Sequence, residues 1–462
     1  MTHLRFVPSD TTEPNGRRSM PILTKPNKAN DRHPSDHPRV TRWLSWIAVP
    51  TALFVTFAPT TAQDQPLRLD PASARLERLR NDVTLLASPE FEGRSGLGAV
   101  KSAHFVEGRF RDLQLQPGFG VSYLQEIIPA TARLPKPNLP QEIPPAQHDD
   151  AQAEASPRVV WGRNVAGALI GSDPQLSHEW IILSAHHDHL GKRGDVYYPG
   201  ADDNASAVAM MLETARELTE QSRRGAGPSR SILFVAFDLE EVGLIGSRYF
   251  ADHPPFPLDR VRLFITADML GRSLAGVCDE FVFVMGSEHA PQLQPLLSDA
   301  AQGRSIRLAP LGVDVVGTRS DYAPFRSRHV PFLFFSTGES REYHTPRDVA
   351  ETLNYPKLRE TTELIADLVA RASELRGNAA PSWSETPHHS LEEVRTIRDV
   401  LRRLQERGDE VQLDGLRNLA ITRILPTLDR ALERKAITPA ERKAMVRVAQ
   451  LVLSGLSNSS WF

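Results

Sequence analysis

The chain has 462 residues, 40% of them apolar and 24% charged, the balance of a globular protein and too long for one small core. A net charge of -3, spread along the chain without a basic stripe to neutralise phosphates, argues against nucleic acid as a partner. The single cysteine, Cys278, rules out an internal disulfide and reads as a small buried apolar residue.

Residues 1–42 are polar and proline-rich, with eight Lys or Arg against four Asp or Glu, and lead into an apolar run over 43–58. That run is shorter than the ~20 residues that span a bilayer, contains Pro50, and is followed by small residues up to Ala62. The pattern predicts an export signal cleaved near Ala62, with an uncleaved N-terminal anchor over 1–62 or a start at Met20 as alternatives. Each places the rest of the chain outside the cytoplasm, in the periplasm, secreted or membrane-anchored, with membrane contact only through this segment.

Leu76, Leu79, Val83 and Leu86 recur at helical spacing and predict a helix over 70–87. A turn-rich loop, GRSGLG, follows at 93–98, then a second helical stretch over 100–113. The Pro, Gln, Ala and Asp composition of 134–156 has no apolar period and predicts a flexible insertion. Four nearly continuous apolar runs, WIILSA at 180–185, ILFVAF at 232–237, RLFITA at 262–267 and PFLFFS at 331–336, read as strands buried on both faces. Helical patterns such as 206–218 lie between them. The fold expected is therefore α/β, a mostly parallel central sheet covered by helices on both faces, with its chemistry beyond the carboxyl ends of the strands. A linker over 378–390 leads to a helical extension over 391–462. There Ser390 and Glu393 suggest a capping box, Leu391, Val394, Ile397, Leu401 and Leu404 an apolar face, and Thr438 with Pro439 and Glu441 a further helix start. The extension holds no ligand-like cluster and reads as a packing or partner element.

The chemistry-bearing residues fall at the strand ends. The first strand runs into His186, His187, Asp188 and His189; GADDNAS at 200–206 supplies Asp203; the second strand ends in Asp238, Leu239, Glu240 and Glu241; the third in Asp268; the fourth is followed by Tyr343 and His344. Adjacent carboxylates at a strand end repel one another unless a cation or proton intervenes. A binuclear site explains the count: two divalent ions bring four positive charges, and three carboxylates with a bridging hydroxide balance them. Mixed imidazole and carboxylate donors suit zinc, with manganese or cobalt as possible occupants.

These motifs resemble those of the zinc aminopeptidase family that also holds bacterial leucine aminopeptidases and glutamate carboxypeptidase II, over roughly 70–374 of a domain drawn at 63–377. The resemblance implies that His186 and Asp268 hold one zinc, Glu241 and His344 the other, and that Asp203 bridges them. It implies that Asp188 orients His186, that Glu240 takes the proton of a shared water, and that Tyr343 donates to the oxyanion of a peptide substrate. One position departs from the family pattern: Tyr322 stands in SDYAPF where relatives carry histidine, and altered substrate contacts are the expectation. The function expected is an exported zinc exopeptidase, first of all an aminopeptidase. A carboxypeptidase stays open through Arg319, Arg341 and Arg347, and a one-zinc glutaminyl cyclase or a non-catalytic binding module are the further alternatives.

Overall fold

The computed structural model describes residues 70–128 and 159–456. The expected export segment over 1–62 and the insertion over 134–156 lie outside them. No helix among the described residues is long and apolar enough to cross a membrane.

Helices α1 (Pro71–Leu86) and α2 (Leu97–Asp112) open the described chain. Asp70 caps α1 by accepting from the amides of Ala72 and Ser73, and Pro71 takes the first helical position, where its missing N–H costs nothing. The strands are β1 (Gln116–Pro117), β2 (Leu124–Ile127), β3 (Gly162–Leu169), β4 (Trp180–His186), β5 (Lys192–Arg193), β6 (Val196–Tyr197), β7 (Ser231–Phe237), β8 (Val261–Ala267), β9 (Phe281–Met285), β10 (Arg307–Leu311) and β11 (Phe332–Ser336). β5 and β6 form a small hairpin, and the others a nine-stranded sheet in the order β1, β3, β7, β4, β8, β11, β9, β10, with β2 also paired to β3.

The four strands predicted from apolar runs are β4, β7, β8 and β11, and they are neighbours and mutually parallel. Their side chains alternate between the two faces, with the order shifted between Val261 and Leu263 where the β4–β8 register slips. Ile181, Leu183, Ile232, Phe234, Leu263 and Ile265 pack on one face; Ile182, Leu233, Val235, Phe237 and Phe264 pack on the other. Antiparallel β3 and β9 flank this centre and make the whole sheet mixed. β3, GRNVAGAL, escapes an apolar-run reading because its small and polar residues are buried by pairing with β2 and β7.

The first face is covered by α1, α2, α3 (Ala207–Arg223), α5 (Leu293–Ala301) and α8 (Tyr355–Glu374), with α4 (Ile245–Asp252) on the other. Short helices α6 (Val313–Val316) and α7 (Ala323–Arg326) border the second face. That face is closed by the extension: α9 (Leu391–Glu406), α10 (Gly415–Glu433) and α11 (Pro439–Leu456). Val394, Ile397, Leu401 and Leu404 of α9 are buried as the periodicity predicts, each contributing roughly 1.5–3 kcal/mol. Thr438 and Glu441 form a reciprocal capping box at α11. At α9 only half the predicted box forms. Ser390 accepts from the Glu393 amide at 3.3 Å, but the Glu393 carboxylate turns instead to the Gly312 amide at 3.0 Å and to Arg442, at 2.6 and 3.0 Å. A buried ion pair holds that carboxylate better than the one exposed amide would.

Candidate metal centre

The chain runs from β4 to β7 on one side and then crosses to β8 on the other, so the direction of winding reverses at β4. Crevices form at such reversals, beyond the carboxyl ends of the strands. His186 is the last residue of β4, in register with Phe237 of β7; β7 continues into Glu240 and Glu241, β8 into Asp268, and β11 leads to His344.

Asp203 sits between β6 and α3, in an irregular wide turn over Ala201–Ser206. Its backbone is pinned from three sides. Asp348 accepts from the amides of Asp202 and Asp203 at 3.0 and 3.1 Å, Asn204 donates to the Ala267 carbonyl at 3.0 Å, and Arg94 donates to the Asp203 carbonyl at 3.1 Å. Arg94 is fully buried and also donates to the carbonyls of Leu86, His187, Pro199 and Gly200. Gly200 has a φ of +61°, and a Cβ there would meet the Asp203 carbonyl oxygen at 2.3 Å, so only glycine fits.

These constraints bring five predicted ligand residues together. His186 Nε2 lies 3.3 Å from Asp203 Oδ1 and 3.3 Å from Asp268 Oδ1. His344 Nε2 lies 3.1 Å from Asp203 Oδ2 and 3.0 Å from Glu241 Oε2. Asp203 thus belongs to two groups of donors, one through each oxygen. The His344 Nε2 is buried and lies between the two carboxylates without hydrogen-bond geometry to either. Two imidazoles and three carboxylates so arranged fit divalent ions of the zinc type. Leu239, Met269 and His344 all adopt φ between 55 and 59°, a left-handed backbone that non-glycine residues rarely take and that gathers at functional sites.

Around this cluster, Asp188 stands behind His186, its Oδ1 3.6 Å from Nδ1, and accepts from the amides of Glu240 and Glu241 at 3.1 and 3.2 Å. One carboxylate therefore ties the β4 and β7 ends together. The Glu240 carboxylate reaches within 4.8 Å of the donors of both His186 and Asp268. Tyr343 stacks on His344 with ring centroids 3.8 Å apart. Burial, with the Asp203 and Glu241 charges, pushes the Tyr343 phenol well above its ordinary value, so it keeps its proton as a donor. Burial, opposed by His186 and aided by Asp321 and Asp268, pushes the Glu240 carboxyl well above the usual carboxylate range.

Three contributors were not singled out from the sequence. Arg94 lies in the loop read only as turn-forming, where one arginine among glycines was the available signal. Asp348 follows the Tyr343–His344 motif by a few residues and carries no motif of its own. His189 was noticed but given no role; its Nδ1 lies 2.7 Å from Glu241 Oε1 and fixes that carboxylate. Tyr322 departs from expectation. It is fully buried, stacked 5.1 Å from Phe332 and hydrogen-bonded through its hydroxyl to the Gly317 carbonyl, so it supports the sheet face and does not touch substrate space. An apolar ring with one satisfied hydroxyl is stable there.

A cavity of about 990 Å³ opens onto Asp203, Glu240, Glu241, Asp268, Tyr343 and His344. Glu339 also lines it, with Oε1 2.9 Å from Arg319 and Oε2 buried without a hydrogen-bond partner.

A parallel α/β centre with imidazoles and carboxylates converging at a strand-order reversal defines the class of metal-dependent hydrolases built on open sheets. Residues 164–369 match the model of peptidase family M28. The chain is 28% identical over 218 residues to aminopeptidase YwaD of Bacillus subtilis, covering 46% of this chain and 44% of that protein. It is 27% identical over 203 residues to the glutaminyl-peptide cyclotransferase of Drosophila melanogaster, covering 39% of this chain and 57% of the relative. The matched stretch thus spans about half the length of these relatives. Among solved structures, a zinc aminopeptidase from Bacillus subtilis superposes with a TM-score of 0.39 at 24% identity, over 50% of this chain and 55% of that one.

Proposed function

We propose that this protein is an exported zinc-dependent exopeptidase that removes N-terminal residues from peptides, holding two zincs through His186, Asp203, Glu241, Asp268 and His344. The observation that carries the reading is the Asp203 carboxylate, which gives one oxygen to the His186 and Asp268 group and the other to the His344 and Glu241 group. The match to peptidase family M28 supports the reaction class.

Zinc bound there would supply a water of lowered pKa and a polarised substrate carbonyl. Glu240, whose carboxylate lies within 4.8 Å of the His186 and Asp268 donors, then accepts the proton of the attacking water and passes it to the leaving amine. Tyr343, protonated and stacked on His344, donates to the oxyanion. Asp188 holds His186 and the Glu240–Glu241 turn in one frame.

Action at the amino end is favoured by one open acceptor oxygen, the Glu339 charge itself being paired with Arg319. Glu339 brings a buried, unpartnered carboxylate oxygen to the cavity wall, suited to a substrate ammonium group. Of the three arginines that would favour a terminal carboxylate, Arg319 lines the cavity but is paired with Glu339, and Arg341 and Arg347 are exposed. Similarity to a glutaminyl-peptide cyclotransferase favours a second reading, cyclisation of N-terminal glutamine with a single zinc. Elemental analysis of the purified chain, run beside free-amino and N-blocked peptide panels, separates these. About two zincs with cleavage of free-amino substrates alone establishes the aminopeptidase; one zinc with glutamine cyclisation replaces it.

A further inference from the structure

Each of the two carboxylates at the ends of the cluster has one oxygen already engaged. Asp268 turns Oδ1 towards His186, while its Oδ2 accepts from the Ser320 hydroxyl at 3.2 Å. Glu241 turns Oε2 towards His344, while its Oε1 lies 2.7 Å from Nδ1 of His189. The same Nδ1 is 3.7 Å from Asp203 Oδ2, beyond hydrogen-bond reach, so its proton goes to Glu241 alone.

The surroundings of His189 hold it to that contact. Its side chain has no exposed surface, its amide donates to the Arg94 carbonyl at 3.0 Å, and its ring meets the edge of His344 with centroids 5.8 Å apart. Gly200 makes room for the ring, since a Cβ there would stand 2.5 Å from His189 Cδ2. An ionised carboxylate can only accept, so Nδ1 carries the ring proton. Nε2, buried and without a partner, then keeps its lone pair, a smaller loss than an orphaned N–H.

We propose that His189 is a positioning residue that confines Glu241 to one metal-binding oxygen and so keeps a coordination position open on the ion beside His344. The inference rests on the two-zinc reading. A carboxylate next to a divalent ion can bind it through one oxygen or through both. With Oε1 engaged by His189, the protein offers that ion three donors: His344 Nε2, Glu241 Oε2 and Asp203 Oδ2. Three is the number that catalytic zinc sites hold while leaving room for water or substrate, and a second Glu241 oxygen would fill that room. His189 therefore acts on the reaction through Glu241, without touching the reacting atoms.

The test loads the full chain with cobalt, whose visible absorption weakens as donors are added around it. His189→Leu removes the donor and frees Oε1; it should keep about two ions per chain, with visible absorption roughly 1.5-fold or more weaker than in the unaltered protein. His189→Asn, which puts an amide N–H where Nδ1 stands, should restore the unaltered absorption. A leucine variant that holds both ions with an unchanged spectrum would overturn the proposal. Loss of one ion from both variants would overturn it too, by making His189 a ligand in its own right. Should His189→Leu fail to fold, the unaltered protein decides. Labelled with nitrogen-15 histidine and loaded with cadmium-113, it should show two imidazoles coupled to metal, those of His186 and His344, and a third coupled ring would sink the assignment. Metal content of the unaltered protein separates the two ideas. Fewer than two ions per chain removes the two-zinc reading itself, whereas two ions with spectra indifferent to the leucine substitution remove only the role of His189.

Discussion

His186 and His344 stand on opposite oxygens of one carboxylate, His186 3.3 Å from Oδ1 of Asp203 and His344 3.1 Å from Oδ2. In the two-zinc reading each imidazole serves its own ion and both ions need Asp203. Substituting Asp203 by Asn should therefore lower bound zinc from about two per chain to below one, whereas His344→Ala should remove one ion and leave the other. Elemental analysis after dialysis reads the difference, and equal losses in the two variants would contradict a shared carboxylate.

Glu240 sits against the cluster with its proton affinity raised by burial. Glu240→Gln should lower kcat by about 10²–10⁴ while zinc content stays at the wild-type value. A fall in zinc content together with kcat would make Glu240 a ligand instead.

In the proposed mechanism the Tyr343 hydroxyl stabilises charge that develops only as the substrate carbonyl is attacked. Tyr343→Phe should lower kcat by about 10²–10³ and change KM little. A change confined to KM would assign the ring to substrate packing.

Arg94 satisfies five backbone carbonyls from within the protein. Arg94→Met removes a donor from all five oxygens, of which His187 O keeps the Ser102 hydroxyl and Gly200 O the Ala205 amide, and should cost about 3 kcal/mol or more in unfolding free energy, with loss of zinc affinity because the Asp203 turn loosens. Denaturant unfolding with and without zinc measures both effects.

Glu393 carries a pH dependence that can be signed. Burial works to raise its carboxyl, but hydrogen bonds from His389 and Arg442 outweigh it and hold the group below its ordinary value. A depressed folded-state value means that this stabilisation is fully present above the unfolded value, about 4.3, and is lost as pH falls through the lower folded value. Docking of α9 against α11 should therefore weaken below about pH 4, seen as faster proteolysis within the extension. Arg442→Ala, which leaves the buried carboxylate only the Gly312 amide and His389, should cost about 3 kcal/mol at neutral pH and flatten that acid dependence.

The apolar runs of β4, β7, β8 and β11 were legible because a strand buried on both faces has no reason to alternate. His186, Glu241 and Asp268 were legible because they stand at the ends of such runs, where open sheets place their sites, and Asp203 and His344 because they sit in short polar motifs in the connecting loops. β3 was not, since its burial depends on pairing that its own residues do not announce. Cys278 is buried and apolar in its surroundings, as its solitary occurrence indicated. Tyr322 could be read only by motif, and the motif misled: its neighbours Phe332 and Phe334 come from a later strand and decide its place.

The sequence by itself determined which residues could carry the chemistry and the strand ends that bear them, because hydrophobic runs and charge clusters are local properties of the chain. Only the tertiary structure decided that Asp203 faces two imidazoles, that Arg94 and Asp348 hold its turn, and that the C-terminal helices close the second face of the sheet. Those relationships join residues up to hundreds of positions apart, and they exist only where packing of the two sheet faces closes the chain on itself.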